Sequence, residues 1–392
     1  LGANGFGSPA SRELCGAKMI RFRALVVLGH AVTGLSGRMQ DAADADWRVW
    51  RGPAGNGIAA AGKEPPTTWS ETQNVLWKTP VPGRGHSSPT VVGGLVVLTT
   101  ADDAAQIQSV VAFERASGKP AWKTDVHRGG FPAKIHSKNT HASSTVASDG
   151  ERLYATFFNA DAVHVTALGL DGKKLWQQIA GPLRPKAYQH GYGPSPALYK
   201  GLVLVAVDSD EPGFLLALEG RTGKLRWRTP RPAKASFASP VVARIGNRDQ
   251  LLLSGCDAVA GYDPGSGKLL WSAEATTIAT CGTPVWQGDL VFASGGYPKA
   301  ETVCVKADGS GRVVWRNPKK CYEQSLLAHN GYVYAVDDAG VAICWKAADG
   351  TGQVERLTTS GIPLVPYAWS RDGKTLTANI ASPTADILTL SM

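Results

Sequence analysis

The residues best suited to chemistry gather in two stretches, KTDVHRGGFPAKIHSKNTHAS (123–143) and QQIAGPLRPKAYQHGYGP (177–194), with a shorter third around Arg84 and His86. Together they hold His86, His127, His136, His141 and His190, five of the chain's eight histidines, beside Lys134, Asn139, Arg184, Lys186, Tyr188 and Tyr192. Neutral imidazoles brought together can ligate a transition metal, and with lysines and arginines nearby they can hold an anionic ligand. Separately solvated, or bonded to their own loop backbone, the same side chains do neither. His136 and His141 stand five residues apart in a loop, a spacing that specifies no coordination geometry. Glu323, flanked by Tyr322 and Gln324, is the carboxylate to examine as a base or ligand. Serine hydrolysis finds no support, because GxSxG is absent.

What positions these stretches is a phrase that the chain keeps rewriting: FERASGKPAW (113–122), LGLDGKKLW (168–176), LEGRTGKLRW (218–227), YDPGSGKLLW (262–271), VKADGSGRVVW (305–315) and, more faintly, KAADGTGQVERL (346–357). A phosphate-binding loop needs a helix after its lysine, whereas a strand follows here, so the glycine reads as the positive-φ residue of a hairpin turn. GPAGNG (52–57) fails the dinucleotide test for the same reason. Trp77, Trp122, Trp176, Trp227, Trp271 and Trp315 are spaced by 45, 54, 51, 44 and 44 residues. Each period holds short Val- and Leu-rich runs divided by turn residues, the pattern of four-stranded β-propeller blades. The tryptophan is expected to leave the last strand and pack on the neighbouring blade.

A second anchor, a hydroxyl residue, opens each unit: Ser88, Ser144, Ser195, Ser239, Thr283 and Ser325. From each tryptophan to the next anchor runs 11, 22, 19, 12, 12 and 10 residues, so the two histidine-bearing connections are the long ones. Connections of this kind line one face around a propeller's central channel, and extra length without strands points to function. In the sixth unit Arg356 stands near where tryptophan is expected. The sequence from 363 to 390 holds three further candidate strands, and NVLWKTP (74–80) reads as the fourth strand that completes them. The expectation is therefore an all-β, seven-bladed propeller closed by an N-terminal strand, with eight blades as the alternative if residues 47–70 add strands.

The phrase, the anchors and the tryptophan period resemble the pyrroloquinoline-quinone-like propeller repeat, and within it the exported propellers similar to the outer-membrane assembly lipoprotein (BamB-like). The resemblance covers about residues 47–357. From about 360 the chain is more similar to TolB-type propellers, through WSRDGKTL. The quinoprotein dehydrogenases share the repeat and imply a vicinal cysteine pair, a calcium site and an aspartate base; no adjacent cysteines occur here.

Composition fits a soluble globular protein, 43% hydrophobic and 19% charged. The net charge of +9 is scattered rather than clustered, so nucleic acid is not an expected partner. Residues 1–45 read as an upstream extension followed by a signal peptide from Met19, with Asp46 beginning the mature chain and 46–73 a lead-in. Export permits disulfides, and neighbouring placement makes Cys256 with Cys281 the expected pair. The expected function is a monomeric, periplasmic or otherwise exported scaffold that binds an envelope protein, peptide or glycan, at most peripherally associated with membrane and without a cofactor. The alternative is an oxidoreductase using pyrroloquinoline quinone or a metal ion over the channel.

Overall fold

Runs such as LVLVAV, bounded by turn residues that tolerate positive φ, can only bury both faces by stacking as strands between neighbouring sheets. The computed structural model describes residues 46–59, 70, 72–338 and 341–356, with the strand backbones at 364–369, 375–380 and 386–391. The first blade comprises β1 (Thr90–Val92), β2 (Leu95–Asp102), β3 (Ile107–Glu114) and β4 (Pro120–Arg128). The second follows with β5 (Ala147–Ser148), β6 (Arg152–Asn159), β7 (Ala162–Gly169) and β8 (Lys174–Pro182), and the third with β9 (Ala197–Tyr199), β10 (Leu202–Val207), β11 (Gly213–Glu219) and β12 (Leu225–Arg231). The fourth holds β13 (Val241–Ile245), β14 (Arg248–Gly255), β15 (Ala258–Tyr262) and β16 (Leu269–Glu274), and the fifth β17 (Val285–Gln287), β18 (Leu290–Gly295), β19 (Glu301–Lys306) and β20 (Val313–Asn317). The sixth is β21 (Leu327–His329), β22 (Tyr332–Val336), β23 (Val341–Lys346) and β24 (Gly352–Arg356); β25 (Leu364–Trp369), β26 (Thr375–Ile380) and β27 (Asp386–Ser391) form a three-stranded sheet. Every sheet is an antiparallel meander, and no helix occurs among the described residues. This is the all-β propeller architecture that the repeat implies.

The cores lie between blades rather than within one. Val163, Val165 and Tyr154 of the second blade pack on Val203, Val205 and Leu216 of the third, and four further clusters fill the other junctions among the first six blades. Burying such a side chain contributes roughly 1.5–3 kcal/mol.

The repeated phrase and the tryptophan are two halves of one contact. Trp122 Nε1 donates to the Leu170 carbonyl at 2.8 Å, and a Cβ on Gly172 would come within 2.7 Å of its ring. Trp77 sits likewise on Arg115 and Gly118, Trp176 on Gly220 and Gly223, Trp227 on Pro264 and Gly267, and Trp315 on Ala347 and Gly350. The glycine is thus required twice, by a φ near +70° and by the indole lying flat against it. Trp271 departs from the series: its Nε1 donates to Gln250 Oε1 of its own blade at 2.6 Å.

The opening hydroxyls tie successive blades together. Ser88 N donates to Thr145 Oγ1, Thr145 N to Ser195 Oγ and Ser195 N to Ser239 Oγ, each at 2.9 Å, and Thr283 N to Ser325 Oγ at 3.1 Å. The second anchor is therefore Thr145, one residue after the expected Ser144. In the sixth blade the ladder sets Gln353 opposite Cys344, where Trp315 stands opposite Cys304 in the fifth, so Gln353 rather than Arg356 takes the tryptophan's place.

Two boundary expectations change. Among the described residues, 74–80 makes no ladder with β27; Asn74 turns the chain at φ 58°, and Pro80 and Pro82 have no N–H to give. What exists of the expected closure is Trp77's seat on the first blade. The described part of the lead-in, 46–59, forms no strand that would add an eighth blade. It spans the ring's centre instead: Trp47 bridges Val91, the Arg48 carbonyl accepts from Ser148 N, Trp50 Nε1 donates to Thr283 Oγ1, and Arg51 Nη2 donates to the Leu326 carbonyl at 2.6 Å. Residues 1–45, 60–69 and the connections between the last three strands lie outside the described residues, and with them the leader and most of the WSRDGKTL segment.

Candidate functional site

The two long connections do converge. One follows β4 and the other follows β8, and they meet where the His136 and His190 rings stand edge to face at 5.0 Å. Asn139 holds them together: its Nδ2 donates to the His190 carbonyl at 2.6 Å, while its Oδ1 accepts from Thr140 N and Ser143 Oγ. Gly191, at φ 87°, lets the second loop pass this close, since a Cβ there would lie 2.7 Å from Asn139 Nδ2. An amide that accepts and donates on both sides fixes two loops that no strand supports.

Three further connections complete a bowl of about 370 Å³ on the central face. Its wall contains His136, Lys138, Asn139, His190, Gly193, Phe237, Cys281, Tyr322 and Glu323. Phe237 lies 5.5 Å from the His190 ring, and Tyr188 reaches both His190 at 5.8 Å and Tyr297 at 6.4 Å. Lys138 Nζ stands 3.8 Å from Glu323 Oε1 across the opening. Both groups are exposed, so the pair is worth little energetically and leaves each side chain free to exchange partners.

Burial sets the titration of the wall. It lowers the His190 pKa, helped by His136, so the imidazole is neutral at physiological pH. The same cause pushes the Cys281 thiol up to about 12 and Tyr322 up to about 12, with Glu323 adding to both. A thiol held protonated in this way is a poor nucleophile. The bowl therefore offers aromatic edges, one positioned amide and a mixed-charge rim, a surface for binding.

Of the candidate residues, His136, Asn139, His190 and Glu323 come together, and Tyr188 abuts them. The others are elsewhere. Arg84 makes a backbone bridge to Ala101, and His86 N donates to the Ala142 carbonyl. His141 lies against Phe131 at 4.2 Å, and Tyr192 is buried with its hydroxyl on the Ala206 carbonyl. Lys134 is exposed and outside the wall. His127 is not a loop residue: β4 extends through it and packs it between blades, against Phe157, His164 and Gln177.

Cys256 and Cys281 are free thiols, which corrects the expected disulfide. Cys256 sits at φ 57° in the turn between β14 and β15, its Sγ 2.9 Å from the Lys234 carbonyl, while Cys281 faces the bowl. The β14–β15 turn aims the Cys256 thiol at the connection between the third and fourth blades, while Cys281, in the next connection, faces the centre.

The residues that were missed obey a rule. Gly193, Phe237 and Cys281 each stand two places before an opening hydroxyl, at Ser195, Ser239 and Thr283, as the expected Glu323 does before Ser325. At these four junctions that position faces the centre, a signal present in the sequence once the anchors are aligned. Among the described residues no three His, Cys, Asp or Glu side chains gather as a metal ion requires.

Comparison with known proteins agrees with this architecture. Residues 45–178 and 106–353 match the family described as outer membrane protein assembly factor BamB. The protein of that name from Burkholderia pseudomallei (strain K96243) is 26% identical over 314 residues, covering 74% of this chain and 70% of that protein. The crystal structure of BamB from Moraxella catarrhalis superimposes with a TM-score of 0.52 at 17% identity, over 76% of this chain and 79% of that one. A europium-containing methanol dehydrogenase gives a TM-score of 0.47 at 10% identity, over 86% and 90%. The matched residues span most of the blades described above, and the chain belongs to the outer membrane protein assembly factor BamB family.

Proposed function

We propose that this protein is an exported, non-catalytic scaffold in outer-membrane protein assembly, which holds a segment of an envelope protein in the central bowl and carries no resident quinone or metal. Family membership supports the assembly role. The observation that carries the binding site is the convergence of five connections on one bowl, with the two longest locked by the Asn139–His190 hydrogen bond. Aromatic side chains clustered in a concavity with a polar rim are the composition of protein-binding hot spots.

The test is genetic and chemical together. In the native host, loss of the gene lowers the amount of assembled outer-membrane β-barrel protein, and the wild-type gene restores it. A Phe237→Ala/His190→Ala variant that folds normally restores it poorly. Purified protein dialysed against metal-free buffer without chelator shows no stoichiometric metal and no quinone absorbance; finding either at one per chain contradicts the proposal.

A further inference from the structure

The lead-in motif WRVWRGPAGNG (47–57) is not a nucleotide loop, and its contacts give it another task. The bonds between opening hydroxyls draw the first strands together as a collar at the waist of the channel, where Thr145, Ser195, Ser239 and Thr283 are all buried. Above the collar lies the bowl, whose wall residues Phe237 and Cys281 stand two places before their anchors. Below it lies a second cavity of about 420 Å³, lined by the lead-in and by Pro196 and Pro240, each one place after its anchor. No lining residue is common to the two.

The lead-in inserts two large side chains into that collar. Trp50 Nε1 donates to the anchor Thr283 Oγ1 at 2.7 Å, and Arg51 Nη2 donates to the Leu326 carbonyl, one place after the anchor Ser325, at 2.6 Å. Arg51 is buried, and its Nη2 also donates to the Asn56 carbonyl at 3.0 Å, folding the motif onto it. Gly57, at φ 81°, permits the fold, since a Cβ there would lie 2.8 Å from Arg51 Nη2. At the other end the Asp46 carboxylate accepts from Gly93 N of the first blade and from Arg48 Nε, and Gly55 fits against Val241 of the fourth. A segment built to open is held by few and exposed contacts, whereas this one is held by buried bonds on both sides of the axis. We propose that the lead-in is a permanent stopper, so that the bowl is blind and the polypeptide segment it holds doubles back or ends inside it instead of threading through the ring. The path of that segment rests on the binding role proposed for the bowl; the stopper does not.

Two measurements test this. Native-state hydrogen exchange of the full chain reads the stopper. The Trp47 amide, bonded to the Val91 carbonyl, and the Ser148 amide, bonded to the Arg48 carbonyl, should exchange no more than about tenfold faster than the amides of β10 in the core of the third blade. Faster exchange means that the lead-in leaves the collar, and overturns the proposal. In intact cells of the native host, a photoreactive residue in place of Phe237, above the collar, or of Ala54, exposed below it, reads the path. Crosslinks to an envelope protein from position 237, and none to that protein from position 54, are expected. Crosslinks from both positions to one continuous segment of that protein show a threaded chain and overturn the blind bowl. Silence at 237 would instead refute the binding role of the bowl, and the exchange rates alone then decide the stopper.

Discussion

The indole of Trp227 lies against Gly267, and its Nε1 donates to the Pro264 carbonyl, so that the last strand of the third blade is latched onto the final turn of the fourth. Glycine is at φ 73° there, and a methyl would meet both the ring and Thr229 Oγ1. Overpacking and the left-handed conformation each cost roughly 1–3 kcal/mol. Gly267→Ala is therefore expected to destabilise the protein by about 2–4 kcal/mol in urea unfolding, whereas Gly265→Ala, two residues away in the same turn but without positive φ, costs under about 1 kcal/mol.

The second expectation concerns acid. Burial, then His164 and Lys174, lowers the His127 pKa to about 4, and burial lowers that of His164 as well. A histidine whose folded pKa lies below its unfolded value stabilises the fold above the unfolded value near 6.5, and this contribution is lost as pH falls toward 4. The melting temperature should drop across that window, and His127→Gln should flatten the drop while changing little at pH 8. An unchanged acid slope in the variant contradicts the assignment.

The third concerns a buried ion pair. Arg231 Nε and Nη2 donate to the two carboxylate oxygens of Asp208 at 2.7 and 2.9 Å, and Nη1 donates to the Tyr262 hydroxyl of the next blade. Both charged side chains are only 3% exposed. Removing one partner strands the other, so Asp208→Leu or Arg231→Met alone should cost about 3–5 kcal/mol, and the double variant less than either single change. Additive losses in the double-mutant cycle would show that the two groups act separately.

Much of this was legible in the residues. The tryptophan period and the glycine phrase specify four-stranded blades because a strand must reverse at that glycine and a large ring must be buried at that junction. Length singles out the two long connections, but that they meet rests on contacts such as Asn139 with the His190 carbonyl. Other features are decided by contacts that a linear reading does not weigh. Thr145 replaces Ser144 because strand β5 starts two residues after it. The count from Trp122 to Ser144 puts His127 in a connection, but β4 runs on through it, packed against Phe157 and His164 of the neighbouring blade. The departure of Trp271 rests on one missing methyl at Gly261, where a Cβ would overlap the indole Nε1, visible only after the third strands are aligned.

The most direct test of the central bowl is site-specific photo-crosslinking in intact cells of the native host. A photoreactive residue replaces Phe237 in the wall or, as the control, Leu175 on the outer strand β8, where it is 52% exposed and open to strand addition by a partner. Crosslinks from position 237 to an outer-membrane assembly protein, reduced by His190→Ala, are the predicted result. Crosslinks from position 175 with none from 237 would place the partner on the blade edge and contradict the account.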